Sequence, residues 1–430
     1  MNPIGPVSTK RMTLLAAASS IGTTLEWYDF IVYNLMAALV FNKVFFPSFD
    51  PLSGTLLAFS TYAVGYLSRP IGGIVFGHLG DRRGRRFVLV ATLLIMGIVT
   101  CLIGLLPSYE KWGAWSPAIL VLLRFLQGTA IGGEWAGAVL LSIEHGSQRQ
   151  RGRNGSFAQI GPACGTLLGT AAVATINQFL APASFESWGW RIPFALSAVL
   201  VGFGLWLRRR IEETPAFREL ELRQDTAKAP LSEVVRQHLC PLLISIGSRV
   251  GPDVCYAMLV VFTLTYITTV LHLSRGLALT CTMVGAACHA IAIPYFAGLS
   301  DRLGRRPVCA AGAVGSIVWV FVYFNLLDTR NPWLIGLAVA VGLTIHAALY
   351  GPQAAFIAEQ FPTRVRYAGS SLAYTLTGVV AGGIAPLVFT AIYKASASTV
   401  WVSVYIAVAF VITLIALRTA SETAGGALPD

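Results

Sequence analysis

Long apolar runs separated by short charged breaks organise this chain. A helix needs about 20 mostly apolar residues to cross about 30 Å of hydrocarbon. Twelve windows of that kind can be cut, at 14–41, 54–77, 87–106, 117–143, 155–180, 190–207, 239–270, 276–298, 307–327, 333–358, 367–393 and 399–417. The pattern predicts an all-α membrane protein with 12 transmembrane helices. The longest break, 208–238, opens with RRRIEETPAFRELELRQD and mixes both charge signs. It reads as a cytoplasmic linker with some helix, between a six-helix bundle over 1–207 and a second over 239–430.

The two halves repeat one another. FGHLGDRRGRR (76–86) and FAGLSDRLGRR (296–306) match at Asp81 and Asp301, Gly84 and Gly304, Arg85 and Arg305, and Arg86 and Arg306, each pair 220 residues apart. Both copies fall between the second and third span of their half. Glu144 precedes Arg151 by seven residues, and Glu359 precedes Arg366 by seven, both between fourth and fifth spans. Two unrelated loops recurring in equivalent places imply a duplicated six-span unit, the parallel-repeat plan of transporters with two rigid halves.

Composition points the same way. The chain is 55% hydrophobic and 12% charged, with mean hydropathy +0.67, against about 25% charged in soluble domains. The net charge of +11 does not indicate nucleic acid, because the basic residues form clusters between apolar runs. With the N-terminus inside, the inner loops hold 22 Lys and Arg, and the outer loops only Lys43, Lys111, Arg275, Arg330 and Lys394. The positive-inside rule then predicts cytoplasmic termini. The first apolar run is too long for a cleavable signal and is expected to be retained. The seven cysteines form no CxxC pair, so neither a disulfide framework nor a metal site is expected. No Walker-type loop is present to support nucleotide drive.

Charges inside the spans carry the candidate chemistry. An ionisable group at a helix centre costs about 2.5–3.5 kcal/mol on insertion scales. Counting about 1.5 Å per residue, Asp29 falls near the middle of span 1 and Arg124 of span 4 about 9 Å outward of mid-span, and the two are read together as the more central level. Glu26, Arg69 and Glu134 fall together about 4.5 Å nearer the cytoplasm. Ser19, Gly22, Thr23, Glu26, Asp29 and Tyr33 recur every three or four residues, so one face of span 1 looks into a polar interior. Span 7 has a weaker counterpart, Arg249, Asp253, Tyr256 and Thr263, in which Arg249 and Asp253 can pair along the helix.

A carboxyl whose arginine neighbour comes and goes can bind and release a proton. Asp29 is the expected proton carrier, with Glu26 and Glu134 next; Arg69 is read as the cation of a structural ion cluster. Arg124 stays charged and suits a bidentate hold on a carboxylate. Gln127, Tyr33, Tyr62, Trp135, Arg249, Asp253, Tyr256, His346, Tyr350 and Tyr374 are candidate cavity lining, whereas His289 reads as ordinary packing. In the loops, Asp81 with Arg85, Glu144 with Arg151, and their second-half equivalents would clamp the cytoplasmic face.

GHLGDRRGRR resembles the signature loop of the major facilitator superfamily, and RFLQGTAIGGEW (124–135) resembles its fourth-span RxxQG motif. With EWYDFIVY (26–33), RPIGGIVFGH (69–78), WGWRIPF (188–194) and EQFPTRVRYAG (359–369), the chain resembles the metabolite:proton symporter family over nearly its whole length. Its first half is most similar to the shikimate-carrying members. The resemblance implies proton-driven uptake of a small organic acid or related metabolite, with shikimate, α-ketoglutarate, citrate, proline and betaine in the family's range. It also implies a monomer spanning the lipid bilayer of a bacterial inner membrane, driven by the proton gradient without a cofactor. Two departures stand out. Ala297 replaces the Gly77 of the first loop copy, and GPACG (161–165) is a partial match to the GPxxGG antiporter motif with Thr166 at its last glycine. The second leaves proton-coupled export as the alternative. A membrane enzyme or receptor is disfavoured, since neither a nucleophile–base constellation nor a signalling domain is present.

Overall fold

The computed structural model describes residues 9–48, 61, 64–209, 213–222 and 229–426, with no strand among them. The main helices of the first half are α1 (Thr9–Met36), α2 (Arg69–Arg83), α3 (Arg85–Leu105), α4 (Trp115–His145), α5 (Arg151–Gln159), α6 (Gly161–Phe179) and α7 (Ile192–Arg209). Two short helices follow, α8 (Pro215–Leu222) and α9 (Pro230–Gln237). The second half holds α10 (Leu239–Ala257), α11 (Arg275–Leu303), α12 (Arg305–Asp328), α13 (Pro332–Ala358), α14 (Arg366–Thr377), α15 (Ala385–Ser396) and α16 (Thr399–Thr419).

Among the described residues ten helices are long and apolar enough to cross a membrane, or eleven if Ser19–Met36 and Leu39–Phe45, bent by 41°, are one span. The remaining expected window, 54–77, lies partly outside the described residues, and the expected site residue Tyr62 lies there too. On α3, Val88, Leu89, Thr92, Leu93, Met96, Val99, Thr100 and Ile103 are buried at helical spacing, while Phe87, Leu94, Ile98, Leu102 and Leu105 are exposed on the other face. The first set meets α4 and α7; the second is the face a helix offers to lipid tails.

Backbone irregularities repeat with the sequence. Gly84 (φ +98°) separates α2 from α3, and Gly304 (φ +103°) separates α11 from α12, a conformation that costs a residue with a Cβ. Wide π-helical turns extend the first span of each half at Ala37–Phe41 and Met258–Phe262. The halves meet in a crossed arrangement: α2 packs on α14, and α5 and α6 pack on α11. The second span of each half therefore faces the fifth span of the other. A core containing Phe76, Trp135, Ile143, Tyr367, Leu372 and Tyr374 runs across both halves towards the arginine-rich face. In the 208–238 segment, α9 buries Val234 and lies against α2 and α14.

Candidate functional site

The arginine-rich face is closed by two matched sets of contacts. Asp81, at the end of α2, accepts backbone N–H groups of Tyr367 (3.3 Å) and Ala368 (2.9 Å) in the first turn of α14. Asp301, at the end of α11, accepts those of Gly152 (2.8 Å) and Arg153 (2.9 Å) in the first turn of α5. Each acid sits on the positive end of a helix from the opposite half, where a carboxylate is favoured. The expected pairs inside each motif also form: Arg85 lies 3.5 Å from Asp81 and Arg305 2.7 Å from Asp301.

The second expected clamp is corrected. Glu144 does not pair with Arg151; it meets Arg366 (3.3 Å) and Arg85 (3.5 Å). Glu359 likewise takes Arg305 (3.2 Å) and Arg151 (3.8 Å) rather than Arg366. The helix is interrupted between α4 and α5 at Gly146 and Ser147, so seven residues do not bring the two side chains onto one helix face. Arg151 and Arg366 start new helices against the other half, and the halves exchange arginines.

A third repeated contact was not anticipated. Glu213, beyond α7, accepts the backbone N–H groups of Arg85 and Arg86, each at 3.0 Å. Glu422, beyond α16, accepts those of Arg305 (2.8 Å) and Arg306 (3.0 Å). A Cβ on Gly84 would meet the Glu213 carboxylate, and one on Gly304 the Glu422 carboxylate. Arg86 reaches back to the Arg209 carbonyl (2.9 Å), and Arg306 to those of Leu417 (2.8 Å) and Arg418 (3.1 Å), closing the C-terminal ends of α7 and α16. Burial of the Glu422 carboxyl opposes its ionisation. The backbone N–H donors of Arg305, Ala424, Arg306 and Thr423 outweigh that and hold it below the ordinary value of 4.5.

In the interior of the first half, Asp29 and Arg124 are joined through a chain of hydrogen bonds. Arg124 Nη1 donates to Gln127 Oε1 (2.5 Å), Gln127 Nε2 donates to Thr100 Oγ1 (2.9 Å), and Thr100 Oγ1 donates to Asp29 Oδ2 (2.8 Å). Ser197 donates to Asp29 Oδ1. The Arg124 guanidinium covers the rings of Tyr33 (4.0 Å) and Phe30 (4.8 Å), and Tyr33 hydrogen-bonds Thr61. All of these polar side chains are buried.

One level nearer the arginine-rich face, Glu134 pairs with Arg208, whose Nη1 also donates to the Leu89 carbonyl. Arg208 counted only as a topology charge in the sequence; it is buried, and a Cβ at Gly22 would occupy its place. Glu26 lies in the fields of Glu134, Arg69 and Arg208, so the expected cluster gains a second cation. Arg69 also covers the rings of Tyr66 (4.0 Å) and Phe30 (5.0 Å).

The second half contributes its own arginine. Arg249 Nη2 donates to both oxygens of Asp253 (2.8 and 2.9 Å), Nη1 donates to Gln353 Oε1 (3.1 Å), and the guanidinium covers the Tyr374 ring (4.2 Å). Pro252 within α10 cannot donate to the Ser248 carbonyl, and Gln353 Nε2 does so instead (3.3 Å). Trp135 of the first half stacks on Tyr374 of the second (4.3 Å, 14°), and Trp27 meets Tyr256 edge-on (6.2 Å). Tyr256, Tyr350 and His346 cluster with His289. His346 bonds His289 (3.0 Å) and the Pro252 carbonyl (3.1 Å).

Comparison with known proteins bears on what this arrangement is for. The family model described as "Sugar (and other) transporter" matches residues 15–238 and again 217–429. The chain belongs to that family. This transporter is 38% identical to the shikimate transporter of Escherichia coli K12 over 90% of the chain and 89% of that protein. It is 36% identical to the inner membrane metabolite transport protein YhjE of the same strain, over 97% and 96%. Its fold matches that of the proton:xylose symporter XylE of the major facilitator superfamily, with TM-score 0.79 and 17% identity over 98% of each chain. It is a multi-pass membrane transporter of the major facilitator fold, not an enzyme.

Several interior residues escaped the sequence reading. Thr100, Ser197 and Gln353 are polar residues of common type within apolar windows, and only tertiary contact distinguishes them. Glu213 and Glu422 had a usable signal, a Glu-Thr dipeptide after the sixth span of each half.

Proposed function

We propose that this transporter takes up a small organic acid together with protons, exposing a central site alternately on either side of the membrane. The observation that carries the reading is the buried unit of Asp29, Thr100, Gln127 and Arg124, which links an acid to a permanent cation inside the bilayer. In this reading Asp29 carries the proton and Arg124 holds the substrate carboxylate. Arg249 supplies a second cation from the other half, and an arginine in each half favours an anion over an amine. The Trp135–Tyr374 stack and the Tyr256, Tyr350 and His346 cluster offer flat faces and hydrogen-bonding groups to a ring. Shikimate, or a related carboxylate, is the substrate class that fits, and the similarity to the shikimate transporter supports it.

The halves over 1–207 and 239–430 rock about this site, joined by 208–238, with both termini cytoplasmic. Contacts of Asp81, Asp301, Glu144 and Glu359 close the cytoplasmic side and break for release. A membrane potential supplies about 2.3 kcal/mol per charge per 100 mV, enough to drive accumulation of an anion carried with an excess of protons.

Reconstituted vesicles with an imposed pH gradient test the proposal directly. Labelled shikimate, quinate, α-ketoglutarate, citrate, proline and betaine are offered in turn. At least one organic acid is expected to accumulate on the alkaline side and to leak back when the gradient is collapsed. Accumulation on the acidic side would mean export; accumulation of an amine alone would remove the anion reading.

A further inference from the structure

We infer that Gln127 and Thr100 form a reversible hydrogen-bond relay that reports occupancy of Arg124 to Asp29. This deepens the symport reading and rests on it. The direction of every bond in the relay is set at one end. Arginine can only donate, so the Gln127 atom facing Arg124 must be Oε1. The amide then presents Nε2 to Thr100, whose oxygen must accept. The single Thr100 hydrogen is left for Asp29 Oδ2. With Ser197 donating to Oδ1, Asp29 faces a donor on each oxygen, the arrangement of an ionised carboxylate.

A substrate carboxylate changes the end condition. When it takes Arg124 Nη1, Gln127 Oε1 loses its donor and the amide is free to turn over. Oε1 then accepts the Thr100 hydroxyl, and Thr100 Oγ1 accepts a hydrogen from Asp29 Oδ2. That hydrogen is a proton taken from water, and Ser197 keeps its bond to Oδ1. The same heavy-atom separations of 2.8 and 2.9 Å serve both directions, so the switch needs one amide rotation and one hydroxyl rotation. Substrate on Arg124 favours a proton on Asp29, and a proton on Asp29 favours substrate, because linkage is reciprocal.

Gln127 and Thr100 are positioning residues in this scheme. Both are polar at buried positions on α4 and α3 where an apolar residue would span the membrane at less cost. The other charged or titratable groups in the field of Asp29 are Glu134 on α4, Cys101 on α3, and Tyr28 and Glu26 on α1. The relay approaches through Thr100, and among the described residues those four groups make no hydrogen bond to Asp29.

The test measures, in purified full-length protein, the pH dependence of the dissociation constant and the protons taken up on binding. The probe is the organic acid that the wild type accumulates in vesicles. The wild type is expected to take up about one proton per acid bound, with affinity falling up to tenfold per pH unit at alkaline pH. Thr100→Val and Gln127→Leu are expected to bind the acid with a flat pH profile and no proton uptake. Thr100→Ser, which keeps the hydroxyl, is expected to restore both. Binding by each variant reports that it is folded. A wild-type slope in Thr100→Val overturns the relay while leaving symport intact. A flat profile in the wild type overturns the symport reading itself.

Discussion

The charges buried in the first half divide into those that hold the bundle and those that surround Asp29. Glu134 and Arg208 are a fully desolvated pair, and removing one partner of such a pair costs about 3–5 kcal/mol because the other stays buried without compensation. Arg208→Gln is therefore expected to lower the melting temperature of the purified protein substantially, and the double variant with Glu134→Gln to recover part of the loss. A double variant no better than the single one would show that the two side chains act independently. At this scale the sequence was half legible. Glu26, Asp29, Arg69, Arg124 and Glu134 announce themselves because charge is expensive in a membrane. Arg208 stood at the end of an apolar window among two other arginines, and nothing in its position distinguished a buried partner from a topology signal. Thr100 and Ser197 were silent because a hydroxyl in a membrane helix usually bonds its own backbone, as Thr92 does with Val88.

The helix ends at the arginine-rich face are held by repeated carboxylate caps. Glu422 stabilises the start of α12 as an anion. Its pKa in the fold lies below the ordinary 4.5, so its contribution is fully present above about pH 4.5 and is lost as pH falls through the lower folded value. Glu422→Gln, a weaker acceptor at the same site, is expected to reduce thermal stability at pH 7 and to leave little difference from the wild type in strong acid. An undiminished difference in strong acid would assign the effect to packing instead. Most helix bounds were legible, because an apolar window ending in arginines has few alternative readings. The π-helical turns at Ala37–Phe41 and Met258–Phe262 were not, since their sequences AALVF and MLVVF carry no mark of a widened turn.

Across the whole molecule, the arginine exchange couples the halves. Arg366 reaches Glu144 and Arg151 reaches Glu359, so closing this face adds to each acid an arginine of the other half beside the Arg85 or Arg305 of its own. Replacing both arginines with glutamine is expected to shift the population towards a state open at the arginine-rich face. Spin labels at exposed positions 149 and 302 would read that as a second, longer distance. A single unchanged distance would place the lock elsewhere. The duplicated motifs point to a two-half plan in the sequence. The crossing of partners was hidden, because the sequence spacing of Glu144 and Arg151 says nothing about which half supplies the charge that each one meets.

In the proposed symport the proton rides on Asp29. The most direct measurement compares two assays of Asp29→Asn in the same vesicles, accumulation driven by a pH gradient and exchange of labelled for unlabelled acid at equal pH. Asparagine keeps the shape; its one oxygen can accept from either Thr100 or Ser197 while its amide nitrogen donates to the other, and it cannot bind or release a proton. Gradient-driven accumulation is expected to disappear while exchange continues. Accumulation at the wild-type level by Asp29→Asn would contradict that role of Asp29.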